Sequence, residues 1–75
     1  MQKILINVMS ITFAMKSEKL LNKYNIQCNI VKTPAKFSNH GCSYSILINK
    51  SDLEVARGIL NDNNVSTSGF YLLEE

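Results

Sequence analysis

The order in which two kinds of apolar periodicity follow one another constrains this chain more than any other feature. Lys3 to Val8 alternates with a period of two and places Ile4, Ile6 and Val8 on one face, which predicts a first strand. Ser10 then stands where a helix N-cap belongs. The residues that recur after it at helical spacing, up to about Asn25, predict an amphipathic helix; they are Phe13, Ala14, Leu20, Leu21 and Tyr24.

The second half of the chain repeats this alternation of strand and helix. A second strand is predicted from about Gln27 to Thr33, where Pro34 stops it, and a third from Cys42 to Asn49. Ser51 to Glu54 has the pattern of a capping box that opens a second helix. The apolar stripe of that helix is Leu53, Ala56, Ile59 and Leu60. A loop over residues 66–69 and a last strand from Phe70 to Leu73 complete the chain.

The resulting order, βαββαβ, predicts an α+β fold: a ferredoxin-like sandwich with a four-stranded antiparallel sheet and two helices on one face. We expect the first and third strands to be neighbours in the middle of the sheet and to run parallel. That arrangement would place both helix N-termini at the end of the sheet away from Cys42. The core face is predicted to hold Ile4, Ile6, Ile30, Ile46 and Ile48.

The opposite, open face of the sheet is predicted to be partly apolar. Strand alternation places Leu5, Val31 and Leu47 there, together with Tyr71 or Leu73. Leu5 and Leu47 would be neighbours on the central strands. An exposed apolar patch of this kind indicates a partner surface, and a homodimer through Leu5 and Leu47 is one way to cover it.

Composition limits the classes of partner. The 75 residues are expected to form one small domain, residues 1–75, and the net charge of +2 is spread without a basic block. We therefore expect neither nucleic acid nor a membrane surface as a partner. The apolar run near the N-terminus is too short for a signal-peptide core, which predicts a cytoplasmic protein with reduced thiols. No motif for a cofactor or a metal is apparent.

The candidate functional residue is Cys42, at the end of the connection between the second and third strands. Lys36, His40 and Gly41 precede it and are its candidate supporting groups, with Lys32 as a further cation. A basic neighbour favours the reactive thiolate, and glycine allows the backbone to approach closely. Cys42 is equally compatible with simple packing at the mouth of the core. Cys28, between Ile26 and Ile30, is predicted to fill the core.

Short motifs along most of the chain resemble one known family. They are Ser10 to Ala14, Glu18 to Leu21, Ile26, Val31 to Pro34, and Gly41-Cys42. Together they resemble the DUF3343 family, whose members are described as selenium or sulfur carrier-like proteins. The family has a basic residue near the position of Lys36. It tends to have Cys-Gly where this chain has Cys42-Ser43.

The resemblance implies a carrier that is not itself an enzyme. Cys42 would take sulfur or selenium from a donor such as a cysteine or selenocysteine desulfurase. It would hold the atom as a persulfide or perselenide and pass it to an accepting enzyme, while Lys36 and His40 stabilise the anion.

Two other functions remain open from the sequence. The first is a binding or regulatory module that dimerises through its open sheet face and in which Cys42 only packs. The second is a redox switch at Cys42.

Overall fold

Strands and helices alternate in the predicted order. The computed structural model describes residues 2–37 and 44–74. The elements are β1 (Gln2–Val8), α1 (Ile11–Lys23), β2 (Cys28–Lys32), β3 (Tyr44–Asn49), α2 (Leu53–Asp62) and β4 (Thr67–Glu74). Short 3-10 turns lie at Ala35–Phe37 and Lys50–Asp52. The predicted α+β, ferredoxin-like architecture is confirmed.

The four strands form one sheet in the order β2-β3-β1-β4, and every neighbouring pair is antiparallel. The prediction that the first and third strands run parallel is wrong. The crossover through α1 makes β2 run in the direction of β1, and β3 then returns antiparallel to β2. β3 therefore lies antiparallel to β1, with Leu5 opposite Leu47.

Because β3 runs antiparallel to β1, the elements that meet at each end of the sheet differ from those predicted. Val8, the last residue of β1, pairs with Tyr44, the first residue of β3, and α1 begins three residues after Val8. The N-terminus of α1 and the start of β3 therefore lie at the same end. The prediction that both helix N-termini lie at the other end is wrong for α1 and right for α2, which follows Asn49.

The start of α1 is capped as predicted. Ser10 has extended backbone angles and its Oγ accepts a hydrogen bond of 3.3 Å from the backbone N–H of Phe13. The predicted capping box of the second helix is wrong. Ser51 lies inside a 3-10 turn, and Asp52 occupies the cap position without a side-chain hydrogen bond to the helix.

Both helices end on an asparagine in the left-handed region, where asparagine is better tolerated than most side chains. Asn25 has φ 63° and Asn64 has φ 58°. In each case the following residue turns back onto the helix. Ile26 N–H donates to the carbonyl of Leu21 (2.9 Å), and Val65 N–H donates to the carbonyl of Leu60 (3.0 Å).

The core lies between the sheet and the two helices. The predicted strand residues Ile4, Ile6, Ile46 and Ile48 are buried in it, and Ile30 packs against it. The helix stripes are confirmed apart from one residue, Tyr24, which stays 55% exposed because it follows the last residue of α1. The last strand starts at Thr67, so the loop predicted over residues 66–69 is mostly strand.

Candidate functional site

The structure places only part of the predicted site. Cys42, His40 and Gly41 lie outside the described residues. The residues that flank this segment, Phe37 and Tyr44, are described, and so is Lys36. The described part of the site consists of the two attachment points of this segment to the sheet and of the elements that share that end of the fold.

The segment that leads from β2 toward Cys42 lies over the open face of the sheet. We call residues 34–37, Pro34 with the 3-10 turn, the strap. Its backbone is attached to β1 because Asn7 Nδ2 donates a hydrogen bond of 2.8 Å to the carbonyl oxygen of Phe37. Asn7 is 1% exposed and Phe37 is half-buried, so this bond is partly shielded from solvent.

Asn7 belongs to a buried chain of polar side chains on that face, which we call the relay: Thr33, Ser45 and Asn7. Ser45 Oγ donates to Asn7 Oδ1 at 2.6 Å, and the oxygens of Thr33 and Ser45 are 2.7 Å apart. Because the single hydroxyl proton of Ser45 is directed at Asn7, the hydroxyl of Thr33 must be the donor to Ser45. The relay therefore links the end of β2, the start of β3 and the end of β1.

An aromatic contact holds the strap at its other side. The ring of Phe37 stacks on that of Tyr71 in β4, with centroids 4.9 Å apart and an interplanar angle of 25°. Gly69 leaves room for this arrangement, since a Cβ there would come within 2.8 Å of the Tyr71 ring. The strap thus spans from β2 to the opposite edge strand.

Lys36 is an exposed residue of the strap. Its Nζ lies 5.1 Å from the centroid of the Phe37 ring, within the range of a cation–π contact. Lys36 therefore lies over the ring of Phe37, the same residue whose backbone carbonyl accepts the hydrogen bond from Asn7. This places Lys36 at the attachment point of the segment that contains Cys42.

The strap and its neighbours alter the predicted apolar patch. Leu5 is 1% exposed, so the prediction that its side chain is open to a partner is wrong. In the sheet Leu5 lies between Leu47 and Tyr71, whose side chains share its face and shield it. Leu47 is half-buried. The homodimer through this face stays a prediction, but Leu5 is too buried to be part of its contact surface.

The end of the sheet that receives this segment also carries the positive end of a helix dipole. Ser10 and the first turn of α1 follow Val8, which pairs with Tyr44. Partial positive charge at a helix N-terminus favours thiolates and other anions within about one turn. The electrostatic setting of this end therefore suits an anionic sulfur, contrary to the expectation from a parallel pair of central strands.

The second cysteine is in the opposite situation. Cys28 is 7% exposed, packs in the core, and its thiol faces the carbonyl of Glu18 (3.8 Å) and Asn22 Oδ1 (3.7 Å). Burial, and then the nearby Glu18 carboxylate, raise the pKa of the Cys28 thiol above its ordinary value of 9.0. Cys28 is a neutral core residue, as predicted.

The raised pKa of Cys28 predicts a loss of stability in alkali. Well below pH 9.0 the thiol is protonated in both states, whereas as the pH rises through 9.0 the unfolded chain releases the proton first. The free energy of unfolding should therefore fall more steeply above pH 9.0 in the wild type than in Cys28→Ala, as measured by urea titration at pH 7 to 10.5. Parallel curves for the two proteins would contradict the prediction.

The relay and the strap were missed by sequence reasoning. Strand alternation assigns Asn7 and Ser45 only to the open face of the sheet, and Thr33 only to the end of the second strand. The sequence did contain a signal. Asn7 and Ser45 are polar residues on the two central strands and lie opposite each other, so they need hydrogen-bond partners if another segment covers that face. The position of the strap in the structure shows that this face is covered.

The described residues offer no evident metal site and no membrane-spanning helix. Residues 2–37 and 44–74 contain no group of three or more His, Cys, Asp or Glu side chains placed to hold a metal ion. Within the same residues, neither helix has the length and the apolar character that a membrane crossing requires.

A family model matches most of the chain. The model of a family described as "Putative Se/S carrier protein-like" matches residues 3–72, which cover all six helices and strands apart from the outermost strand residues. The chain matches no curated protein and no solved structure.

Proposed function

Because this chain belongs to the Se/S carrier-like family, we propose that it carries sulfur or selenium on the thiol of Cys42. The observation that supports this choice of residue is the condition of the other cysteine. The chain has two cysteines, and Cys28 is sealed in the core with its thiol held neutral. A carrier thiol must reach two different proteins, which leaves Cys42.

The transfer step is an exchange at sulfur. The Cys42 thiolate attacks the outer sulfur of a donor persulfide, R–S–SH. A new bond forms between the Cys42 sulfur and that outer sulfur, the S–S bond of the donor breaks, and the donor cysteine leaves as a thiolate. The proton stays on the transferred sulfur, so the products are a Cys42 persulfide and R–S⁻. Selenium follows the same path from R–S–SeH.

The anchoring of the strap supports such a role. The relay holds Thr33, before the segment, and Ser45, after it, and Asn7 additionally holds Phe37. Both attachment points of the Cys42 segment are therefore fixed to β1. A transferred atom has to meet a donor sulfur within bonding distance, and fixed attachment points limit the positions that the thiol samples.

The electrostatic contribution comes from three sources in this proposal. The N-terminus of α1 lies at the same end of the sheet, and Cys42 is only two residues before Tyr44, which pairs with the last residue of β1. Lys36 and His40 add cationic or hydrogen-bonding groups on the same segment. Each favours the anionic forms of the thiol and the persulfide over the neutral ones.

The test is a loading experiment on the intact chain. The protein is incubated with a cysteine desulfurase and L-cysteine, or with a selenocysteine lyase and selenocysteine, and its intact mass is measured. We expect a gain of one sulfur or selenium atom that a reductant removes, and peptide mapping after alkylation should locate it at Cys42. A mass that stays unchanged with both enzymes would refute the carrier function.

A further inference from the structure

Exposed apolar side chains are concentrated at the start of α1. Met9 is 56% exposed, Ile11 42% and Met15 50%, and they follow one another over the entry and the first two turns of the helix. Ile11 and Met15 are four residues apart and lie on the same helix face. The other large exposed apolar residues, Tyr24, Val55 and Leu72, belong to three separate parts of the described chain.

A groove continues this apolar region along the helix. It has a volume of about 510 Å³ and is lined by Thr12, Met15, Lys16, Lys19 and Leu20. The spacing of its residues, three, four and seven apart, places them along one side of α1. Met15 and Leu20 are the large apolar residues of the groove, and Lys16 and Lys19 lie between them along the helix.

The charges along this side of α1 have one sign. The helix contains Lys16, Lys19 and Lys23 against the single acid Glu18, a net charge of +2. None of these lysines forms an ion pair with another described residue; within residues 2–37 and 44–74 the ion pair found joins Arg57 to Glu54. The cations are therefore available to a partner.

The position of this surface relates it to the proposed function. The start of α1 and the start of β3 lie at the same end of the sheet, because Val8 pairs with Tyr44. A protein that covers Met9 and Ile11 therefore covers the end of the fold to which the Cys42 segment is attached.

We propose that the outer face of α1, formed by Ile11, Thr12, Met15, Lys16 and Lys19, is the docking surface for the protein that donates sulfur or selenium. The donor would present an apolar centre rimmed by carboxylates. This proposal rests on the carrier function and adds the partner surface to it. Carboxylates opposite Lys16 and Lys19 would guide association, and methionine side chains adapt to more than one partner shape.

A second copy of this chain fits the same surface less well. A symmetric pair of copies presents the same patch twice, so the patch that contains Lys16 and Lys19 would face a second patch of the same positive sign. Like charges brought together in this way oppose association.

The proposal is tested by loading from two sources with matched variants. Met15→Asp and Lys16→Glu change the proposed surface, while Val55→Asp and Lys50→Glu make the same chemical changes elsewhere on the described fold. Sulfur transfer from a desulfurase persulfide is measured against the concentration of the carrier. Inorganic polysulfide, which needs no docking, serves as the second source.

We expect Met15→Asp and Lys16→Glu to raise the half-saturating carrier concentration for the desulfurase about tenfold, the effect of losing one central contact. Loading of these two variants by polysulfide should stay at the wild-type level. The two control variants should be loaded like the wild type by both the desulfurase and polysulfide. Added salt should weaken wild-type transfer more than that of Lys16→Glu.

The outcomes separate the proposals. Equal half-saturation for all four variants would overturn the docking surface and leave the carrier function intact. A wild type that neither the desulfurase nor polysulfide loads would overturn both. A wild-type dimer in sedimentation that Met15→Asp makes monomeric would assign the surface to a second copy instead of a donor.

Discussion

Replacing Cys42 with alanine is expected to abolish sulfur loading, whereas Cys28→Ala should load as the wild type does. The sulfur of Cys42 forms the new S–S bond, and its removal leaves Cys28 as the remaining thiol of the chain. Cys28 cannot replace it, because its side chain is 7% exposed and its pKa is raised by burial. The measurement is intact mass after incubation with desulfurase and L-cysteine.

This pair of variants also distinguishes the carrier from the alternatives. A redox switch at Cys42 would give an oxidised or disulfide-linked wild type but no reducible mass gain of one sulfur atom. A module in which Cys42 only packs would give the same mass for the wild type and Cys42→Ala, apart from the substitution itself. If Cys28→Ala abolishes loading, our assignment of the two cysteines is wrong.

Asn7→Ala is expected to have the largest effect on stability among the polar substitutions. It removes the acceptor of the buried Ser45 hydroxyl, which then keeps only its contact with Thr33, and it removes the donor to the carbonyl of the half-buried Phe37. A buried group that loses its partner costs about 1–3 kcal/mol, which for two groups sums to about 2–6 kcal/mol. Ser45 retains Thr33 and Phe37 is half-buried, so a loss in the lower part of that range, about 2–4 kcal/mol, is expected. A core of this size supplies only about 3–5 kcal/mol, so the variant should lie close to its unfolding midpoint.

The control for Asn7→Ala is Asn49→Ala at the other end of the sheet. Asn49 is half-buried and its Oδ1 accepts a 2.7 Å hydrogen bond from Lys3 Nζ, a group that water can also solvate. Its loss should cost less than about 1 kcal/mol in urea unfolding. Ser45→Ala should lie between the two. Equal losses for Asn7→Ala and Asn49→Ala would show that the relay is not a stabilising unit.

Sequence patterns predicted the elements well, because they depend on periodicity that burial imposes. Ile4, Ile6, Ile46 and Ile48 alternate in the sequence and lie together in the core. Ser10 caps the first helix as its position indicated. Boundaries were less accurate where no periodic signal marks them, as at Thr67, where β4 begins within a stretch of small polar residues.

The candidate site was less predictable because its parts depend on relations between distant residues. The hydrogen bond from Asn7 to Phe37 joins positions that no local pattern connects, and the strap has no apolar repeat that would place it. Whether α1 begins near Tyr44 depends on the direction of β3 relative to β1. The apolar periodicity of a strand does not indicate that direction. The burial of Leu5 likewise depends on distant residues, because its neighbours Leu47 and Tyr71 lie on two other strands.

The central place of β1 has a consequence for synthesis on the ribosome. Of the four strands of this sheet β1 is made first, and its two neighbours are β3, residues 44–49, and β4, residues 67–74. Until those residues emerge, both hydrogen-bonding edges of its apolar sequence stay unpaired, and unpaired edges invite association with other chains. Translation that stalls before β3 emerges would thus leave a nascent chain prone to aggregate, however stable the finished domain is.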